Sequence, residues 1–221
     1  MRQQRPRGTT RREAVIDAAL KVVDEEGVGG LTIRAVAALV GAPPMSLYTH
    51  FANKEELLDL MYAEISRRLY ADSGQATWQA ELSALAFHIR STLLAHPHWT
   101  PLLSRPAPPA SVPVRERVLT LMVAAGMPAR EALDGLSSAI LVALGLVLVE
   151  LTFLDPDGVS RLSRRFDTVK AEFAERGDAA GEPTTRAALA GPARFDFDKS
   201  FASSLETLIV GLARKQVTPG A

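Results

Sequence analysis

The sequence of 221 residues has no cysteine and no net charge, because 25 lysines and arginines balance 25 aspartates and glutamates. The absence of cysteine excludes structural disulfides, thiolate metal sites and cysteine nucleophiles from this chain. The neutral total excludes a uniformly basic surface, yet nucleic acid responds to a local basic patch rather than to the total. The length is enough for one or two domains with a sizeable core.

The sequence also has little that could enter a membrane. Its most apolar stretch, AILVALGLVLV at 139–149, is too short to span a bilayer and predicts a buried core helix. Residues 1–12 contain five arginines with no apolar run behind them, which predicts a disordered basic arm rather than a signal peptide. We therefore expect a soluble, cytoplasmic protein. Whether the basic arm contacts DNA stays open.

Hydrophobic spacing is helical along nearly the whole chain. In the first helix, apolar residues recur at i, i+3, i+4, i+7 and i+8 from Val15 to Val23, and Gly27 ends the helix. Neither a strand pattern nor an internal repeat is present. The sequence therefore predicts an all-α protein with an N-terminal three-helix domain and a larger C-terminal helical domain.

Local signals place the helix ends. Thr32 is a good N-cap for a second helix that runs to Gly41, Pro44 begins a short third helix, and Asn53 caps a fourth. The fourth and later helices are predicted at 54–71, 75–95, 114–125, 129–154, 157–176 and 197–214, with a proline-rich connection at 96–113 and a mobile loop at 177–195. The predicted domains are 13–72 and 73–215.

The second and third helices, joined by a turn at Gly41, predict a helix-turn-helix. The second helix of such a pair enters the major groove of DNA, and here that helix is Pro44–His50. Leu47 and Phe51 should face inward. Their expected partners are Val15, Ala19, Val36 and Leu39. The residues left to face DNA, whose apolar and hydroxyl groups suit thymine methyls, phosphates and base edges, are Pro44, Met45, Ser46, Tyr48, Thr49 and His50.

Two cations flank this helix. Lys54 lies at the start of the fourth helix, where an ammonium group and free N–H groups together would hold a phosphate. Arg34, on the second helix, suits forked contact with guanine or phosphate. Two readings stay open, since Tyr48 could be a packed aromatic and His50 a residue favoured at a helix C-terminus by the helix dipole.

Three motifs carry a resemblance over about 13–61: G-x-x-x-L-T-x-R-x-V-A from Gly27, G-A-x-x-x-S-L-Y-x-H-F from Gly41, and N-K-E-E-L-L from Asn53. This stretch resembles the DNA-binding domain of the TetR family of bacterial transcriptional repressors. The resemblance implies that Thr32, Tyr48 and Lys54 contact phosphates, while Arg34 and the start of the third helix read bases. Pro43 departs from the family, in which this position is often polar.

The segments LLAHPHW, RVLTLMVAAGMPAREALDGLSSAILVALGLVLVE and FDFDKSFASSLETLIVGLARK resemble the C-terminal domain of the tetracycline repressor subgroup. The resemblance implies that a long eighth helix and the last helix form a four-helix dimer interface. Helix 129–154 is apolar on nearly all sides, which also predicts a second buried face. The predicted interface residues are Ile140, Leu144, Val147, Phe201, Leu205, Leu208 and Leu212.

Neither a metal nor a cofactor is expected. In the tetracycline repressor subgroup, a histidine ahead of an Arg-Pro pair holds the drug's magnesium. Counted back from Arg105-Pro106, this chain has Pro101, Leu102 or Leu103 there, so the resemblance implies that the magnesium–tetracycline site is lost. The other candidates, His88, His96 and His98, have no acidic residue close by in sequence.

A ligand cavity is predicted among helices 75–95, 114–125 and 129–154. Its candidate lining residues, for which ordinary core packing is the alternative, are Trp78, Phe87, His88, Trp99, Met122 and Met127. We expect the ligand to be a small, mainly apolar or aromatic molecule.

These features predict a homodimeric transcriptional repressor that binds a palindromic operator in double-stranded DNA and is released by a small-molecule effector. Effector binding would change the separation of the two DNA-binding domains. Two alternatives stay open. One is a DNA-binding activator or architectural protein without a ligand. The other is an all-α enzyme using His88 or His96 as acid–base, which would leave the helix-turn-helix unexplained.

Overall fold

The computed structural model describes residues 12–106, 116–153 and 196–214, with 168, 170–172, 175 and 184. Every regular element in this described part is helical, which confirms the all-α prediction. The helices are α1 (Arg12–Gly30), α2 (Ile33–Val40), α3 (Pro44–Leu47), α4 (Lys54–Leu69), α5 (Trp78–Ala95), α6 (Thr100–Leu103), α7 (Glu116–Ala124), α8 (Ala129–Phe153) and α9 (Phe197–Ala213). The helix predicted at 157–176, the loop at 177–195 and the arm at 1–12 lie almost wholly outside the described residues.

The chain divides into two compact units. The first comprises Met1–Ser73 and Ser91–Glu116, and the second comprises Gly74–Arg90 and Arg117–Ala221. The predicted domain boundary at 72 lies close to the first break, but the segment after residue 90 returns to the first unit.

The core of the first unit contains the predicted helix-turn-helix cluster. The buried side chains include Val15, Ala19, Val36, Leu47 and Phe51. Leu39 was expected in this cluster, but it is 46% exposed. That expectation is wrong because α2 turns Val36 and Ala37 inward, and Leu39 lies at the edge of this buried face.

The predicted helix caps are present. Thr32 Oγ1 accepts a hydrogen bond from the Ala35 amide at 3.1 Å, and Asn53 Oδ1 accepts one from the Glu56 amide at 2.9 Å. Gly41 has φ 72° and ends α2 in the left-handed conformation, with its amide donating to the Ala37 carbonyl. A residue with a Cβ is strained there, so Gly41 fixes the turn between α2 and α3.

The third helix is shorter than predicted. It ends at Leu47, and the His50 amide then donates to the Leu47 carbonyl at 2.9 Å, a bond three residues back rather than four. The predicted extent, Pro44–His50, is therefore wrong at its C-terminal end. The tighter turn leads the chain to Phe51, whose ring is buried.

The proline-rich connection predicted at 96–113 is partly helical. A 3₁₀ turn covers Pro97–Trp99, and α6 follows directly. Proline at the first positions of both elements suits a helix start, since its missing N–H would have no intrahelical partner there.

In the second unit, α8 packs on α9. The buried residues of α8 are Ala132, Gly135, Leu136, Ala139, Ile140, Ala143, Val147 and Glu150, so the helix is buried along one face. By length and composition alone, the whole helix would be long and apolar enough to cross a bilayer, a test that core helices of soluble proteins also pass. The apolar run at 139–149 is only the central part of this helix.

Candidate nucleic-acid interface

The α3 segment, residues 41–53, presents an outward face because two of its side chains are anchored in the core. Leu47 is fully buried and Phe51 is 3% exposed. Met45, by contrast, is 76% exposed and Tyr48 is 44% exposed. Pro43, Pro44, Ser46 and Thr49 are also exposed, while His50 is half-buried. Five of the six predicted α3-segment residues are therefore exposed, and the sixth, His50, is half-buried.

The Tyr48 ring is packed, as the first of its two readings predicts, and its phosphate contact stays a prediction. Its ring centroid lies 5.8 Å from that of Phe51 at an interplanar angle of 56°. This packing holds the ring in place, while the exposed part of the side chain is accessible to a phosphate group.

The hydroxyl groups of the α3 segment have internal partners. Ser46 Oγ donates to the Pro43 carbonyl at 2.6 Å, and Thr49 Oγ1 donates to the Ser46 carbonyl at 2.7 Å. Each hydroxyl has one hydrogen, so in this conformation Ser46 and Thr49 offer only oxygen lone pairs to an outside group.

Thr32 and Arg34 lie together at the start of α2. Both are exposed. The Thr32 oxygen accepts from Ala35, which leaves its hydrogen available to a phosphate oxygen. Arg34 follows two residues later, and its guanidinium forms no ion pair within the described part of the chain.

The start of α4 is joined to the turn that precedes α2. Lys54 Nζ donates to the Leu31 carbonyl at 2.9 Å. Glu56 donates its amide to Asn53 Oδ1, and its Oε2 accepts from the amide of Ala52, the residue before the cap, at 2.6 Å. The two cations predicted beside α3, Arg34 and Lys54, thus belong to helix starts that are held rigidly.

Sequence reasoning missed a cluster that joins the segment after α5 to α1. His96 Nδ1 lies 3.0 Å from Asp24 Oδ2, and His98 Nδ1 lies 2.9 Å from the Asp24 carbonyl oxygen. The His96 ring stacks on Trp99 with centroids 4.0 Å apart. His96 has no acidic residue close by in sequence, and the fold supplies its carboxylate from α1. Both histidines are more than 70 positions from Asp24, so spacing along the chain gave no signal.

The same segment also contacts α4. Arg105 donates to Glu55 Oε2 at 2.6 Å, and this hydrogen bond raises the pKa of Arg105 above its ordinary value. The guanidinium of Arg68 lies 5.7 Å from the centre of the Trp99 ring. Trp99 thus packs within the first unit.

The other five pocket candidates lie in the second unit. Trp78, Met122 and Met127 are buried, whereas Phe87 is 41% exposed and His88 is exposed. The structure therefore does not gather all six candidates in one unit. The Trp78 indole nitrogen is buried and finds no hydrogen-bond partner among the described residues.

A buried ion pair holds α5, α8 and α9 together in this unit. Arg90 donates twice to Glu150, at 2.8 and 2.7 Å, and also pairs with Asp198 at 2.7 Å. Hydrogen bonding to Glu150 raises the pKa of Arg90. Arg90 also lies over the ring of Phe201, which packs against Phe87. The pair explains how a charged residue is accommodated on the buried face of α8.

Most of the predicted dimer residues contribute to the core of their own chain. Leu144 and Leu208 are half-buried. The other five, each at most 6% exposed, are Ile140, Val147, Phe201, Leu205 and Leu212. These five leave little surface for a partner, because α8 and α9 use them to pack on their neighbours. This is a correction to the predicted interface.

The described residues contain no group of three His, Cys, Asp or Glu side chains placed to hold a metal. The described part of the cluster around His96 consists of one carboxylate, two imidazoles and two backbone carbonyls, and His98 is directed at the carbonyls.

Two family models match this chain. The model for bacterial regulatory proteins of the tetR family matches residues 15–61. The model for the tetracyclin repressor-like C-terminal domain matches residues 71–216.

Curated relatives agree with these models. The HTH-type transcriptional repressor DrrR1 of Streptomyces coeruleorubidus is 36% identical over 148 residues, which are 65% of this chain and 53% of the relative. The class A tetracycline repressor protein from transposon 1721 of Escherichia coli is 30% identical over 213 residues, 92% of this chain and 90% of the relative. The chain thus spans about half the length of the first relative and about nine-tenths of the second.

A solved structure shows the same fold. The Streptomyces coelicolor TetR family protein ActR, in complex with actinorhodin, is similar with a TM-score of 0.75 and 21% identity, over 95% of this chain and 98% of ActR. Because the C-terminal model alone covers more than half of the residues, the chain belongs to the TetR family of bacterial regulatory proteins.

Proposed function

We propose that the protein is a cytoplasmic, homodimeric transcriptional repressor that binds a two-fold operator and leaves it when a small molecule binds. The observation that carries this proposal is the outward face of the α3 segment, held by buried Leu47 and Phe51. Because these two side chains stay in the core, the exposed residues of the segment can contact a major groove while the domain keeps its fold. Residues 13–72 would form the DNA-binding domain, and 73–215 the ligand-binding and dimerisation domain.

The proposed DNA contacts have two roles. Thr32, Tyr48 and Lys54 hold phosphates, and Arg34 contacts a base edge. The α3 segment supplies the remaining groove contacts, from Pro44, Met45, Ser46, Thr49 and His50. Phosphate contacts fix the position of the protein on the duplex, whereas base contacts select its sequence.

The proposed dimer surface is the outer stripe of α8. Leu141 is 69% exposed, and Gly145, Leu148 and Val149 follow at helical spacing on the same side. On α9 the outward face borders an open depression of about 440 Å³ lined by Glu206, Thr207, Val210, Gly211 and Arg214. An exposed apolar stripe of this kind is typical of an interface, and two copies related by a two-fold axis would cover it.

The proposed effector is a small, largely apolar or aromatic molecule that binds the second unit. The buried Trp78 indole supports this, because its unpaired N–H would gain a hydrogen-bond acceptor from a ligand. The relative ActR has been solved with actinorhodin, an observation about that protein which supports the same class of ligand here. Effector binding would favour a dimer in which the separation of the two α3 segments no longer matches the operator.

The test begins with a selected duplex, defined as DNA recovered from a randomised pool by repeated binding to the full chain. A repressor of this kind binds the selected duplex as two protomers and releases it when a suitable effector is added. Actinorhodin is the aromatic probe, and magnesium–tetracycline is the comparison. A Trp99→Phe variant makes Trp78 the reporter, since the chain has two tryptophans.

Release by actinorhodin with a change in Trp78 fluorescence supports the proposal. Tight binding of the selected duplex with no response to either probe, or to a panel of aromatic compounds, would favour the alternative without a ligand.

A further inference from the structure

The α3 segment lacks the side chains that usually read bases. Between Gly41 and Asn53 the sequence GAPPMSLYTHFAN has no arginine, lysine, aspartate, glutamate or glutamine. Its one amide side chain, Asn53, caps α4 through its oxygen. The forked contacts that arginine makes to guanine, or glutamine to adenine, are therefore not available from this segment.

The hydroxyl groups do not fill this gap. The hydrogens of Ser46 and Thr49 are both donated to backbone carbonyls of the same segment. An oxygen lone pair alone accepts from adenine or cytosine at most once, so it discriminates weakly. Of the polar groups that remain, Tyr48 is proposed to hold phosphate and His50 is half-buried.

What the segment does present is apolar surface. Met45 is the most exposed large hydrophobic side chain of the described residues, at 76%, and it follows two exposed prolines. An unbranched thioether adapts its shape to the group that it contacts. In the major groove, the C5-methyl group of thymine is the apolar feature that a base pair offers.

Building on the proposed function, we propose that Met45 determines specificity by contacting a C5-methyl group at one position of each operator half-site. The natural source of this group is thymine. The same methyl is present on 5-methylcytosine, which differs in the neighbouring donor or acceptor. Arg34, which lies on α2, would then contact a different base. The rest of the recognition would come from phosphate contacts and DNA shape.

The experiment uses the selected duplex and replaces its thymines with deoxyuridine, one position at a time. This change removes the methyl group and keeps base pairing. We expect binding to weaken about three- to ten-fold per half-site at one symmetry-related position, because burial of one methyl group contributes on that order. Replacement of thymines outside the half-sites is the control. In a duplex carrying G·C at the sensitive position, 5-methylcytosine in place of cytosine tests whether the methyl alone restores part of the affinity.

The same series is measured with Met45→Ala and with Met45→Leu. Met45→Ala should bind the thymine and uracil duplexes equally, while Met45→Leu should keep much of the difference. Since Met45 is exposed, both variants should keep the wild-type midpoint of urea unfolding, and this measurement checks that each variant is folded.

Three results would overturn the proposal. In the first, wild type binds every uracil duplex as tightly as the thymine duplex and still prefers the thymine duplex over random DNA. The proposed function then stands, and this inference fails. The uracil effect could persist undiminished in Met45→Ala, which would assign the methyl contact to another residue. If the pool yields no preferred duplex, the proposed function fails, and the inference fails with it.

Discussion

Lys54 and Leu31, 23 residues apart in sequence, are joined by a hydrogen bond from the lysine ammonium to the leucine carbonyl at 2.9 Å. This bond ties the start of α4 to the turn before α2. An ammonium has three donors, so two remain for an outside acceptor while the internal bond is kept. The arrangement fixes a positive charge where the start of α4 meets the turn before α2.

Lys54→Ala should therefore weaken binding to the selected duplex and to random duplex by similar factors. A phosphate contact carries little sequence information and releases counterions. The slope of log affinity against log salt should flatten by about 0.9 for each phosphate that a protomer no longer neutralises. Lys21→Ala is the matched control, because Lys21 is an exposed lysine on α1 that pairs with Glu25. An unchanged salt slope in Lys54→Ala would contradict the phosphate assignment.

Arg34→Ala should have the opposite pattern. Removal of a forked base contact should cost about 1–3 kcal/mol per half-site on the selected duplex, with little change on random DNA. Titrations of both duplexes across the same salt series separate the two roles. Equal losses on the selected and the random duplex would show that Arg34 holds phosphate instead.

The stripe on α8 gives a prediction about assembly. Leu141→Arg places a charge at a side chain that is 69% exposed in the single chain, so the fold should tolerate it. In a dimer the same charge would be buried without a partner, which costs several kcal/mol. We expect a shift from dimer to monomer in sedimentation at micromolar concentration. Leu39→Arg on α2 is the control and should stay dimeric. A monomeric wild type would contradict the proposed interface.

The ion pairs of Glu64 predict a pH dependence of stability. Hydrogen bonding to Arg67, followed by interactions with Arg68, lowers the pKa of Glu64 despite its partial burial. A lowered pKa in the folded state means that the ionised group stabilises the fold above the ordinary glutamate pKa of about 4.3. That contribution is lost as the pH falls through the lowered value.

Glu64→Gln should therefore be less stable than wild type at pH 7, and the difference should shrink as the pH falls below about 4.3. Urea unfolding of both proteins at a series of pH values measures it. A difference that stays constant with pH would show that the effect of Glu64→Gln is one of packing.

Arg90 and Glu150 predict a strong dependence of the second unit on one buried pair. Arg90→Met should cost about 3–5 kcal/mol of unfolding free energy, because Glu150 keeps its charge at a buried position without its partner. The double variant Arg90→Met, Glu150→Met should recover much of this loss in urea unfolding. If the double variant loses more unfolding free energy than the two single variants lose together, packing around the pair outweighs the charge.

Local features of the fold could be predicted because their causes lie within a few residues. Thr32 and Asn53 accept hydrogen bonds three residues ahead, and Gly41 adopts the left-handed conformation that glycine permits. The burial of Leu47 and Phe51 followed from helical spacing. The extent of α3 could not be predicted as well, because a change from four-residue to three-residue hydrogen bonds leaves no mark on the hydrophobic pattern.

The failures concern pairs of distant residues. His96 and Asp24 lie 72 residues apart, and nothing in the sequence around either one indicates the other. The sequence also did not indicate which side of α8 packs against the core of its own chain, because the helix is apolar on several sides. Leu141 and Val147 are equally plausible interface residues by composition, but only packing against α9 and the other helices shows which of them is covered.

The most direct test of the central claim is binding to the selected duplex with one half-site scrambled. Two protomers that read a two-fold site should bind the intact duplex with a stoichiometry of two. Scrambling one half-site should then reduce affinity at least ten-fold, as expected when several base pairs of the site are mismatched. The contrary result is equal affinity for the intact and half-scrambled duplexes with one protomer bound to each, and it would contradict recognition of an operator by a symmetric dimer.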